Sequence, residues 1–259
     1  MHFNIPFVLF TLNLLALNAH GQHAGDVILA VNDAATITTS TIAATGVVTE
    51  RVFGATFGDT GVSRFTTNPG FDAVSATFSA GSRVGFAPLS GLQRWTGAGV
   101  EPVIDERLEV KYLTLQTIIG VTPAVGFDLA VQSNGGWHRH LNFRLFTAGA
   151  KLPASALYIV ELEMYSTDGF TLPSEPMWMV FNDGASVAEH DAAIAWVTTH
   201  LASSGSTCIA DLDGNGDVGA SDLAAVLGAW GTANGDLTED GATDASDLSV
   251  LLANWGPCT

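Results

Sequence analysis

Two twelve-residue segments near the C-terminus place oxygen donors at the spacing that one hard cation needs. The first begins at Asp211 and reads DLDGNGDVGASD. Its positions 1, 3 and 5 carry the side-chain oxygens of Asp211, Asp213 and Asn215. Position 6 is Gly216, where the chain must turn sharply, and position 7 offers the backbone carbonyl of Asp217. Asp222, at position 12, supplies the carboxylate that closes the site. Ca2+ takes six to eight oxygens around one point, and donors in this order form an EF-hand-like loop able to wrap it. The second segment reads DLTEDGATDASD. Asp236, Thr238, Asp240 and Asp247 take positions 1, 3, 5 and 12, with Gly241 at the turn and the Ala242 carbonyl at position 7. A Thr hydroxyl is a weaker donor than a carboxylate, and Asp244 at position 9 compensates, directly or through water. Two calcium ions are therefore expected, the first held more tightly than the second.

The loops belong to an internal repeat with an offset of 25 residues, since Asp211-Leu212 recurs as Asp236-Leu237 and Ser221-Asp222-Leu223 as Ser246-Asp247-Leu248. Each loop leads into one amphipathic helix. Leu223, Val226, Leu227 and Trp230 fall at i, i+3, i+4 and i+7, and Leu248, Leu251, Leu252 and Trp255 repeat them. Gly231 and Gly256 are natural helix stops. One such helix cannot bury its stripe alone, so the two stripes are expected to pack on each other about a pseudo-twofold axis. From Cys208 to Thr259 the chain carries eight Asp, one Glu and no Lys or Arg. Clustered carboxylates repel, and a segment that also holds Leu, Val and Trp at regular intervals reads as a folded unit that needs cations rather than as a solvated tail.

The loop-plus-single-helix unit, used twice and with Asp at position 12, resembles bacterial dockerin modules over residues 208–258. That resemblance implies docking into a cohesin-like or other extracellular protein receptor, often in polysaccharide-handling assemblies. It also implies that loop positions 10 and 11, here Ala220-Ser221 and Ala245-Ser246, help choose the partner, and that near-identical copies allow docking in two orientations. Cys208 and Cys258 bracket the module, and in an exported protein they are expected to form a disulfide. Two free thiols or an intermolecular bridge are the alternatives.

The whole chain has 259 residues, with 9 Lys plus Arg against 26 Asp plus Glu and a net charge of −17. Nucleic acid and anionic membrane surfaces are poor partners for that balance. Residues 1–24 read as a signal peptide with a short apolar run, so the mature protein is expected to be secreted, with no transmembrane segment. Residues 25–202 show β-rich runs separated by Gly, Pro, Asn and Asp. Strands are expected at 27–31, 46–57, 73–78, 83–86, 108–115, 127–131, 138–146, 157–165 and 177–181. Within 157–165, Tyr158, Val160, Leu162 and Met164 point one way while Glu161 and Glu163 point the other. A capping-box pair, Ser186 and Glu189, opens a helix over 188–201 that would cover the sheet with Ile194, Trp196, Val197 and Leu201. Residues 203–207 read as a linker to the module at 208–259. The expected architecture is mainly β: an antiparallel β-sandwich with one terminal helix, followed by a small all-α dockerin-like calcium module.

The β domain contains one concentrated chemical feature, Trp137-His138-Arg139-His140. His138 and His140 alternate along a strand, so both imidazoles emerge on one face and could hold a transition metal with a third ligand from His20, His23 or His190. Surface or hydrogen-bonded histidines are the plainer reading. Paired carboxylates for glycoside hydrolysis would come from Asp72, Asp105, Glu106, Glu109, Asp128, Glu161, Glu163 and Asp168, but sequence alone selects no pair. Trp95, Trp137 and Trp178 are candidates either for stacking on sugars or for the core. The leading expectation is an exported, calcium-dependent, non-catalytic attachment protein. The alternatives are a glycan hydrolase and a transition-metal-binding β domain.

Overall fold

The computed structural model describes residues 25–44, 46–202, 209–213, 217–238 and 240–257. The expected signal peptide, the linker, Asn215, Gly216 and both cysteines lie outside the described residues. The chain is 37% strand and 15% helical, which makes it mainly β. Sixteen strands precede the first helix: β1 (Val27–Val31), β2 (Ile37–Ala43), β3 (Gly46–Thr49), β4 (Val52–Thr56), β5 (Phe65–Thr66), β6 (Phe71–Ala73), β7 (Arg83–Pro88), β8 (Gln93–Trp95), β9 (Val100–Pro102), β10 (Glu106–Tyr112), β11 (Leu115–Ile119), β12 (Asp128–Ala130), β13 (Trp137–Arg139), β14 (Asn142–Thr147), β15 (Leu157–Ser166) and β16 (Met177–Asn182). Helix α1 (Val187–Val197) follows and runs into a π-helical turn over Thr198–Ala202.

Three sheets share one core. The first has the order β13-β6-β1-β2-β3, the second β11-β10-β14-β5, and the third β12-β7-β15-β16-β4, with β8 and β9 attached beside β15. Leu29 and Phe71 from the first sheet, Leu108 and Phe143 from the second, and Val160 and Phe181 from the third are all buried in the same cluster. The sequence led to an antiparallel sandwich, but the pairing is mixed. β1 pairs with β6, and β4 with β16, in parallel. Parallel neighbours come from distant segments, so no hairpin turn between them marks the pairing in the sequence.

Strand β16 is buried at every position. Its side chains alternate between two cores: Met177, Met179 and Phe181 enter the central cluster, while Trp178 and Val180 enter a second one beneath α1. Strand β15 follows the expected alternation, with Tyr158, Val160, Leu162 and Met164 all in the central cluster. Leu157 and Ile159 lie on its other face, in the cluster under α1.

The helix is placed by local chemistry. Asn182 Oδ1 accepts the Ala185 N–H at 2.8 Å, and its amide donates back to the Ala185 carbonyl at 3.0 Å. Ser186 Oγ then accepts the Glu189 N–H, while the Glu189 carboxylate accepts the Ser186 N–H at 2.9 Å, completing the capping box. Val197 is buried in the second cluster, with Ile194, Trp196 and Leu201 packed against it. Where α1 crosses β4 the strand carries Gly54, because a Cβ there would stand 2.8 Å from Ile194 Cδ1.

Several expected strands differ in extent. The run 108–115 is the first arm and turn of a hairpin formed by β10 and β11, and 138–146 divides into β13 and β14, which join different sheets. Strands β2, β5, β8 and β9 have no counterpart among the expected runs. β2 reads ITTSTIA, whose polar residues weaken the apolar signal although Ile37 and Thr39 are buried.

The C-terminal segment contains β17 (Asp217–Val218), α2 (Ala220–Gly228), α3 (Ala245–Ala253) and β18 (Gly256–Pro257). β17 pairs with β18, so this region is not purely helical, and the chain end is tied back to the first loop. Ala210, Val218, Val226 and Leu251 form its small buried core, lined by Leu223, Leu237 and Leu248. The two helical stripes bury only in part. Leu227, Trp230, Leu252 and Trp255 remain 52%, 48%, 54% and 51% exposed. Helix α2 ends at Gly228 and α3 at Ala253, so Trp230 and Trp255 fall beyond the helices instead of continuing their apolar stripes. No helix among the described residues is long and apolar enough to cross a membrane.

Candidate metal centre

In the first loop, Asp211, Asp213 and Asp222 each direct an oxygen into one locus, and these atoms all lie within 4.8 Å of one another. Oxygens at about 2.3–2.6 Å from one Ca2+ are at most about 5 Å apart, so this donor set fits around a single ion. Oxygen-only donors also match a hard cation rather than a soft one. Asp211 and Asp213 come from the loop itself, whereas Asp222 comes from the first turn of α2.

Asp222 is fully buried, and backbone N–H groups position it. Its Oδ1 accepts from Leu212 at 2.7 Å and Asp213 at 3.1 Å, and its Oδ2 accepts from Gly219 at 2.8 Å. One carboxylate thus closes the loop and reaches back to the residue that begins the helix. Burial favours its neutral form, but the N–H bonds outweigh that and hold its carboxyl below the usual carboxylate value. A charged oxygen is therefore presented at neutral pH, at a helix N-terminus that favours negative charge.

The second loop repeats the frame. Asp247 Oδ1 accepts from Leu237 at 2.8 Å and Thr238 at 3.0 Å, and Oδ2 accepts from Asp244 at 2.7 Å. The Asp244 N–H bond, with those from Thr238 and Leu237, holds the Asp247 carboxyl below its ordinary value against desolvation. The loop oxygens also take bonds within the loop. The Thr238 hydroxyl donates to Asp247 Oδ1 at 3.1 Å. Asp236 accepts the N–H groups of Asp240 and Gly241, and Asp240 accepts that of Ala242. Asp244, expected as a compensating ligand, caps α3 by accepting the Ser246 N–H at 2.7 Å. Among the described residues, no three carboxylates of this loop converge as they do in the first.

The 25-residue offset also pairs Val218 with Thr243. Both are buried, and Thr243 Oγ1 accepts the Gly235 N–H at 3.0 Å. Each loop is thus pinned to the small core through its eighth position. Ala220, Ser221, Ala245 and Ser246 all lie exposed on the first turns of α2 and α3.

The other candidate residues lie in the β-rich region. His138 and His140 do emerge together, with ring centroids 5.2 Å apart. His190 lies apart from them on α1, where its Nε2 donates to the Val180 carbonyl at 2.9 Å. His20 and His23 lie outside the described residues. Trp137 and Trp178 are core residues, while Trp95 is half-buried with its ring 5.3 Å from that of Trp196.

Four of the candidate hydrolytic carboxylates have structural partners. Asp72 meets His138, Asp128 pairs with Arg83, Glu109 with Arg144, and Asp168 caps the turn at Phe170 and Thr171. Glu161 is raised above the usual value by burial, against the opposing effects of Ser90 and Arg51.

A scan against protein-family models and a search among curated proteins each find no match to this chain.

Proposed function

We propose that the two acidic loops bind calcium and that the unit they rigidify is a dockerin-like docking module. In this reading residues 25–202 form a β-sandwich, residues 208–259 form the module, and the exported protein is attached through it to an extracellular partner. The observation that carries the reading is the convergence of Asp211, Asp213 and Asp222 within 4.8 Å. Three clustered carboxylates repel one another, and a divalent cation between them turns that repulsion into a closed loop that fixes α2.

The paired apolar residues support a docking role for the outer surface. Leu227 and Trp230 on one repeat, and Leu252 and Trp255 on the other, form twin exposed patches that a solitary domain would gain by burying. Ser221 and Ser246 lie exposed on α2 and α3 at the positions the resemblance assigns to partner choice. Attachment is favoured over glycan hydrolysis because Asp72, Asp128, Glu109 and Asp168 already serve structural pairings.

The test is calcium titration of the full chain by calorimetry, followed by binding to a panel of cohesin domains with and without chelator. Loss of the tighter of two calcium ions in Asp211→Ala, together with chelator-sensitive cohesin binding, is the expected result. Changing Ser221 or Ser246 alone should leave binding nearly intact, and changing both should abolish it. Unchanged calcium uptake in Asp211→Ala would overturn the reading.

A further inference from the structure

The outer face of the second sheet has a chemistry unlike that of the acidic loops. On β10, Leu108 and Val110 enter the central cluster, so Arg107, Glu109 and Lys111 point the other way. On β14, Phe143 and Leu145 enter the same cluster, which turns Asn142, Arg144 and Phe146 outward. In β11, Thr117 and Ile119 are buried, and Gln116 and Ile118 face out; in β5, Thr66 is buried and Phe65 faces out. None of these outward residues is buried. Phe65 and Phe146 belong to none of the apolar clusters, so they are aromatic surface outside the core.

The register arranges the face in three rows. Lys111 stands between Gln116 and Asn142. Glu109 stands between Ile118 and Arg144, with Phe65 beyond, and Arg107 stands beside Phe146. Rows are two residues apart along the strands, which is about 7 Å. Each row therefore holds one cation. The one acid among them, Glu109, is neutralised by Arg144, whose Nε donates to its Oε2 at 3.1 Å. The Glu109 side chain is 15% exposed and that of Arg144 53%, so solvent meets the cation. Asp105 lies outside the rows, at the bend before β10. Three of the 9 Lys and Arg of a chain with net charge −17 thus share one open face.

The polar groups are prepared to bind. Arg107 Nη1 donates to the carbonyls of Ile104 at 2.9 Å and Glu106 at 2.7 Å, which fixes the guanidinium. Its stem lies across Gly120, where a Cβ would stand 2.7 Å from Arg107 Cδ. Among the described residues, the side chains of Lys111, Gln116 and Asn142 have no hydrogen-bond or ion-pair partner. An ammonium flanked by two amides offers one positive charge with donors and acceptors on both sides. A sugar carboxylate with neighbouring hydroxyls matches that pattern. An acidic peptide would engage the cations but has no row of hydroxyls for the amides.

We propose that this face binds a linear carboxylated polysaccharide, a polyuronate, laid along the strands. Lys111, Arg144 and Arg107 meet carboxylates along the chain, Gln116 and Asn142 meet hydroxyls, and Phe65 and Phe146 lie against the apolar faces of sugar rings. Charge complementarity selects this occupant, since a neutral glycan would leave the three cations without partners. The chain is acidic as a whole, but at physiological ionic strength charges beyond about 8 Å are largely screened, and the local cations decide.

The experiment is fluorescence anisotropy with the full chain and a labelled oligogalacturonate, in chelator so that calcium cannot bridge uronates to the acidic loops. Saturable binding that weakens with salt is expected. Lys111→Ala should weaken it about tenfold, and Lys111→Glu with Arg107→Glu should abolish it. These side chains are on the surface, and an unchanged thermal midpoint shows that the variants fold. Arg94→Ala, which removes a cation paired with Glu101 on the third sheet, should bind as the wild type does. Methyl-esterified oligogalacturonate keeps the hydroxyls without the charge, and polyglutamate keeps the charge without the hydroxyls; each should bind at least about tenfold more weakly. Asp211→Ala should bind normally, which distinguishes a failure here from a failure of the calcium reading. No binding by the wild-type chain, full binding by Lys111→Glu with Arg107→Glu, or equal affinity for polyglutamate or the esterified chain would overturn the proposal.

Discussion

Asp222 is the residue on which both the first acidic loop and its helix depend, and removing it should separate two roles of one carboxylate. In Asp222→Ala the N–H groups of Leu212, Asp213 and Gly219 lose their acceptor together. Stranding a donor costs about 1–3 kcal/mol. Leu212 and Asp213 are exposed and Gly219 half-buried, so water replaces part of each bond and the lower end applies, about 3 kcal/mol in all. A small unit with a core of four buried residues has little stability to lose. At about 1.4 kcal/mol per tenfold, opening of the calcium-free segment should rise on the order of 100-fold. Hydrogen exchange read by mass spectrometry on peptides from 209–257 localises the effect to this segment. Asp213→Ala is the control. It removes a converging oxygen but none of the three bonds to Asp222, so it should lower calcium affinity with less than a tenfold change in calcium-free exchange. If both variants perturb calcium-free exchange equally, or if Asp222→Ala leaves it unchanged, the assignment of a dual role to Asp222 is wrong.

Three further outcomes follow from the same geometry. Chelating calcium should raise exchange in 209–257 while leaving β15 and β16 protected, and calcium at about 100 times its dissociation constant should restore about 2.7 kcal/mol of protection. Asp222 and Asp247 both have folded-state carboxyl values below the ordinary 3.8, so their contribution is complete above that value and is lost as pH falls through the folded-state one. Protection of the calcium-free segment should thus hold from neutral pH to about pH 5 and collapse only below about pH 4, as followed by exchange or by Trp230 and Trp255 fluorescence. Ser186→Ala removes the acceptor for the Glu189 N–H and should cost about 0.5–2 kcal/mol, seen as a lowered thermal midpoint, with no change in calcium uptake.

Sequence by itself determined the donor spacing of the two acidic loops, the helices after them and the capping box at Ser186, because each is written within a dozen consecutive residues. A loop that must wrap an ion fixes its donors at set intervals, and a helix fixes its buried face by its turn. The alternation of β15 was legible for the same reason, since neighbouring residues of a strand point to opposite sides. Tertiary structure decided what depends on which strand lies beside which. His138 meets Asp72 across 66 residues only because β13 pairs with β6 in that register. His140 reaches Thr67, and Asp26 faces the same space, only because β1 lies parallel to β6 and Gly70 leaves room. Such neighbours are chosen by the joint burial of three sheets around one core, a condition on the whole chain that no local spacing records. The exposure of Leu227 and Trp230 belongs to the same class: periodicity marks them as apolar, but only the fold shows that α2 ends at Gly228 and leaves both outside.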